Sequence, residues 1–191
     1  MWSRLFLYAG LRYFSEMNDF EKRLTGGHPN SLGNTIEVVD EVLEQAELFD
    51  ELFNCYFSSD EIVRLRVSNA MKRICKVKPN SLIPYIDRFI SEIAKIDQPS
   101  TKWTIAQLFE MLDSELSQKQ LEQAKRIVKE NLVSESDWIV LNNSMETLGK
   151  WSKSDTELAK WLTPQLERLA KDERKSVSKR ASKLLAVTTN K

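Results

Sequence analysis

Residues 60–75, DEIVRLRVSNAMKRIC, open on an acid and then set Ile62, Val63, Val67, Ala70, Met71 and Ile74 at helical spacing. Arg64, Arg66, Asn69 and Arg73 fall between them. This is the period of a helix with one apolar face. Its outline recurs along the chain: an acid, a small residue nine or ten positions on, then an apolar one. Asp60 leads to Ala70 and Ile74, Asp97 to Ala106 and Met111, Asp137 to Thr147 and Trp151, and Asp172 to Ala181 and Leu185. The acids are 37, 40 and 35 residues apart. A period of that size predicts stacked helix pairs, each too small to bury its own apolar face.

Towards the N-terminus, residues 36–57 carry Ile36, Val39, Leu43, Ala46, Phe49, Leu52, Phe53 and Tyr56 at steps of three and four. They read as helix, with Asn34 as N-cap and Glu37 completing a capping box. The stretch 24–35, LTGGHPNSLGNT, holds three of the five glycines and reads as the one real loop. Towards the C-terminus, Ser81 is expected to cap a helix bearing Leu82, Ile86, Phe89, Ile90 and Ile93, with Pro84 tolerated in its first turn. Pro99 and Ser100 lead into Trp103, Ala106, Phe109, Met111 and Leu112. Further helices are expected at about 117–132, 137–151, 155–170 and 172–187. No window alternates with period two, so the prediction is all-α, with about nine helices in antiparallel pairs. The expected organisation is a possible extension at 1–16, a polar lead-in loop at 17–35 and a single repeat domain at 36–190. Residues 1–16 make a poor signal peptide: Arg12 interrupts the apolar run, no small-residue cleavage site follows, and Met17 is an internal start candidate.

The composition, 41% hydrophobic and 29% charged, is that of a folded globular chain. Acids and bases are 28 each, so net charge selects no partner, but their distribution is uneven. Residues 37–51 carry seven acids and no base; residues 174–191 carry six bases and no acid. A charge dipole is expected. Cys55 and Cys75 match no metal-ligand spacing and read as buried free thiols, as in a reducing cytoplasm.

The second helix of each expected pair resembles HEAT repeats, an armadillo-like class. Asp60, Val63-Arg64, Val67, Ala70 and Ile74 are similar to the family's pattern of Asp, Val-Arg, Ala and an aliphatic residue, and Pro84 and Pro164 to its first-helix proline. The likeness covers roughly 36–187 and is specific only at 60–75; the Val-Arg step is lost at 100–104, and Leu141 follows Val140 where Arg would fall. A similar pattern belongs to a group of bacterial HEAT-like proteins. The resemblance implies a short right-handed α-solenoid whose second helices line a concave face.

Sites of chemistry are sparse. Gly27 to Thr35 is superficially like a P-loop, but five residues separate Gly27 from Gly33, Asn34 replaces the lysine and no strand precedes it. It reads as a connector. His28 is the only histidine, which leaves no set for a metal or a proton shuttle. Trp103, Trp138 and Trp151 lie in successive second helices and read as core. One HEAT-like family, the DNA alkylation-repair glycosylases, carries Trp-x-x-x-Asp on a helix; here Trp103 is followed by Gln107, a neutral amide. No cofactor, metal or catalytic set is expected. Arg66, Asn69, Arg73, Lys102, Gln107, Asn142, Asn143, Glu146, Lys179 and Lys183 mark the polar side of the second helices. Asn142 and Asn143 stand out, since Asn is a poor mid-helix residue. The expected function is a non-enzymatic scaffold or adaptor that binds a protein or peptide on that face. The alternative is nucleic-acid binding through the basic C-terminal helix.

Overall fold

The computed structural model describes residues 19–28 and 31–188. The expectations for the extension at 1–16 and for Met17 lie outside the described residues. The described chain is all-helical: ten α-helices, joined by 3-10 turns and loops, and no strand among the described residues. It divides into two compact units, one up to Met71 and one from Lys72.

The first unit holds α1 (Phe20–Leu24), α2 (Thr35–Glu44), α3 (Phe49–Asn54) and the start of α4 (Glu61–Val77). The stretch expected as a polar lead-in thus contains a helix. Asp19 caps it, accepting from Lys22 N at 3.1 Å, and Phe20 and Leu24 are fully buried. Arg23 lies over the Phe20 ring, 5.4 Å from its centroid, and makes a bidentate pair with Glu41 at 2.7 and 2.5 Å. That pairing holds the Glu41 carboxyl below its usual range.

The expected helix over 36–57 is broken. At Gln45 the backbone leaves helical geometry (φ −125°, ψ 87°), and 3-10 turns at Ala46–Leu48 and Cys55–Phe57 flank α3. The buried stripe of α2 is also rotated from the expected one: Val38, Val39 and Val42 are inside, while Ile36 is 38% exposed. Asn34 takes the N-cap position but makes no side-chain cap bond.

The second unit holds α5 (Ile86–Ser91), α6 (Pro99–Met111), α7 (Gln118–Ser134), α8 (Trp138–Trp151), α9 (Thr156–Leu169) and α10 (Lys175–Thr188). Leu82, Ile86, Phe89, Ile90 and Ile93 are buried as expected, but Ser81 makes no cap bond and two 3-10 turns precede a six-residue α5. Pro79 and Pro84 each sit in the opening of one of these turns. Their missing amide protons favour such short segments. The capping box occurs instead at α7, where Ser117 and Gln120 bond reciprocally.

Packing in this unit alternates. Helix α8 lies along α6 on one side and α10 on the other, and α7 and α9 pack behind it. Gln120 of α7 donates to Asp87 of α5 at 2.8 Å, and Lys125 of α7 pairs with Asp155, the cap of α9, at 2.7 Å. Lys129 of α7 sits over the Trp161 ring of α9 at 4.7 Å. Within this unit α6, α8 and α10 form one layer and α5, α7 and α9 the other.

The four repeated acids divide into two roles. Asp60 and Asp137 cap their helices, accepting from Ile62 N at 2.8 Å and from Ile139 N and Val140 N at 2.8 and 3.0 Å. Asp97 is paired with Lys102 at 2.6 Å instead, ahead of a helix that begins with Pro99. Asp172 accepts from the Arg174 amide at 2.9 Å and from its guanidinium at 2.8 and 2.7 Å.

Candidate functional site: the outer face of α6, α8 and α10

On α6, α8 and α10 the polar residues bond across the helices. Gln107 Nε2 donates to Asn143 Oδ1 at 2.6 Å, while Asn143 Nδ2 bonds back to Ile139 O at 2.8 Å. Asn143 is therefore a bridge, and its awkward helix position is satisfied on both sides. One turn on, the Thr147 hydroxyl meets Ala106 O at 3.0 Å, and Lys150 Nζ reaches Glu110 O at 3.3 Å and Asp113 at 3.4 Å. Glu146 pairs with Arg180 of α10. At the other end Lys102 bridges Asp97 and Glu135 at 2.6 and 2.5 Å. The result is a ladder that joins three helices of one layer, each rung a polar or charged pair.

Several expected face residues sit elsewhere. Arg66 is only 2% exposed. Its Nη1 donates to Leu24 O at 2.7 Å and Thr25 O at 3.1 Å, and its Nε to Ser31 O at 3.3 Å. It binds the glycine loop of its own unit, because a forked, permanently charged donor can satisfy several loop carbonyls together. Asn142 is 9% exposed, turned into the helix packing with its Oδ1 unpartnered. Asn69 is half-buried, and Arg73, Lys179 and Lys183 are exposed.

The tryptophans, all expected in the core, separate. Trp151 is 6% exposed, Trp103 is half-buried and Trp138 is 49% exposed. Trp138 is the first residue of α8, before the helix has turned its apolar stripe inward. The Gln107–Asn143 rung sets the register of α6 against α8, which brings Trp103 level with half-exposed Ile139. The exposure of Trp138 was not read from the sequence; the sole signal was that Trp138 directly follows a capping acid.

Reactive groups are quiet. Cys55 and Cys75 are buried free thiols; burial pushes them up to about 12 and about 11, far from the thiolate a nucleophile needs. Among the described residues no three His, Cys, Asp or Glu side chains group as metal ligands. Among them, too, no helix is long and apolar enough to cross a membrane. A groove of about 430 Å³ runs beside α8, α9 and α10, lined by Gly149, Ala159, Thr163 and Leu184, with Lys153 and Lys160 on its rim.

No protein-family model matches this chain, and no curated protein matches it either.

Proposed function

We propose that the chain is a non-enzymatic, HEAT-like scaffold or adaptor that binds a protein or peptide on the outer face of α6, α8 and α10. The observation that carries the reading is Trp138, 49% exposed at the head of α8, with Trp103 and Ile139 half-exposed beside the polar ladder. Tryptophan offers large contact area and is enriched where interfaces concentrate their binding energy. A rim whose polar groups are already bonded to one another can be covered without leaving buried charges unpaired. The test is affinity capture with mass spectrometry on the wild type and on Trp138→Ala. A partner retained by the wild type and lost at least tenfold by a variant with unchanged melting temperature supports the reading. Equal capture by both overturns it.

A second reading, nucleic-acid binding, draws on the exposed lysines of α10. Phosphate neutralisation makes affinity fall steeply with salt. The expected outcome is weak, sequence-independent binding at low salt that vanishes near physiological salt. Submicromolar DNA binding at physiological salt, abolished by Lys175→Ala, Lys179→Ala and Lys183→Ala together, would replace the first reading with this one.

A further inference from the structure

Two charged rows are left over by the ion pairing inside the molecule. On α10, Lys175, Lys179 and Lys183 recur every four residues, and all three are exposed. The neighbouring bases are engaged: Arg174 with Asp172, Arg180 with Glu146. Among the described residues none of the three lysines has an ion-pair partner. On α2 and the turn after it, Glu37, Asp40, Glu44 and Glu47 recur at steps of three and four, exposed, while Glu41 between them is taken by Arg23. None of those four has an ion-pair partner among the described residues.

Lys175, Lys179 and Lys183 span about two turns of α10, and Glu37, Asp40 and Glu44 about two turns of α2 before the break at Gln45, so one row can lie along the other. Each also has an apolar margin. Leu32 and Ile36, 36% and 38% exposed, precede the acidic row, and Val187, 52% exposed, follows Lys183 one turn on. Val187 and Leu184 also line the groove beside α8, α9 and α10, where Lys160 on the rim is paired with Glu157 at 2.8 Å.

We propose that this chain associates with a second copy of itself, the lysine row of α10 in one copy lying against the acidic row of α2 in the other. The two rows are different surfaces, so the contact is heterologous, and its rotation decides whether it closes into a ring or continues as a chain. Charge complementarity of this kind directs the encounter and its register. The exposed pairs make the association weak and dependent on salt.

Sedimentation of the full chain tests this. The average mass is expected to rise with concentration at about 0.01 M salt, where the Debye length is about 30 Å, and to return to the single chain at about 1 M, where it is about 3 Å. Lys175→Glu, Lys179→Glu and Lys183→Glu together should abolish the association. So should Asp40→Lys with Glu44→Lys, positions beyond the first turn of α2 where new lysines do not oppose the helix dipole. Each of these variants repels itself, but their equimolar mixture restores complementary rows and should recover the wild-type mass. The neutral variant Lys179→Ser, Lys183→Ser is expected to weaken association without recovery on mixing. A wild type that stays single at low salt overturns the proposal, including one that binds duplex DNA through the lysine row instead. Association that survives both reversals overturns it, and so does a mixture of folded variants that fails to recover.

Discussion

Arg66 and Gly33 decide each other. Gly33 has φ +52°, and a Cβ there would stand 2.8 Å from Arg66 Cζ. Backbone conformation and close approach both demand glycine. Gly33→Ala is therefore expected to destabilise by roughly 1–3 kcal/mol, read by denaturant unfolding. Arg66→Ala orphans three loop carbonyls and should remove about 2–4 kcal/mol. Arg66→Lys should recover little of it, since a compact ammonium does not reproduce the fork. Gly149 presents the opposite case. An added Cβ would fall 2.8 Å from Leu184 Cδ2, the far end of a flexible side chain beside a groove with room to receive it. Helix propensity favours alanine by about 1 kcal/mol, so Gly149→Ala should leave thermal stability unchanged or slightly raised. Asp172 supplies a pH signature. Hydrogen bonds from Arg174 hold its carboxyl down at about 2, below the unfolded value of about 3.9. Its stabilisation is fully present above about pH 4 and is lost as pH falls towards about 2. A melting-temperature series over that range should fall less steeply for Asp172→Asn than for the wild type.

At the scale of the element, α8 carries most of the information. Its inner stripe, Leu141, Met145 and Leu148, is buried, and Trp151 closes it at the C-terminal end. Trp151→Ala should cost about 3–5 kcal/mol, the range for emptying a large buried site. Trp103→Ala, from a half-buried position, should cost less, and Trp138→Ala should lie within about 0.5 kcal/mol of the wild type. A chemical melt of the three variants checks the order. Reversed order would place Trp138 in the core and leave the proposed partner face without its anchor. The helices themselves were legible wherever a cap and a long stripe coincided, as at α4, α7 and α8. They were misread at 36–57 and 81–93, where a continuous stripe conceals breaks. The 3-10 turns at Cys55–Phe57 and Ile93–Lys95 still place Cys55, Tyr56 and Ile93 inside, so periodicity does not separate them from α-helix.

At the scale of the whole molecule, repetition was legible because burial imposes it: each pair must hide one face, and the residues that do so recur. The candidate site was only partly legible. Lys102, Gln107, Asn143 and Glu146 do share the α6, α8 and α10 face, and spacing alone was enough to find them. Arg66 and Asn142 carry the same polar signature yet lie inside: Arg66 because the loop carbonyls of Leu24, Thr25 and Ser31 take up its Nη1 and Nε donors, Asn142 because helix packing covers it with its Oδ1 unpartnered.

The sequence by itself determined the all-helical class, the repeat period and most of the buried stripe, since these follow from local periodicity and capping chemistry. Only the tertiary structure decided which polar groups face one another across helices, which tryptophan is left outside and which charges remain unpaired. Those outcomes depend on register between elements far apart in the chain, where a rotation of one residue exchanges an inner position for an outer one.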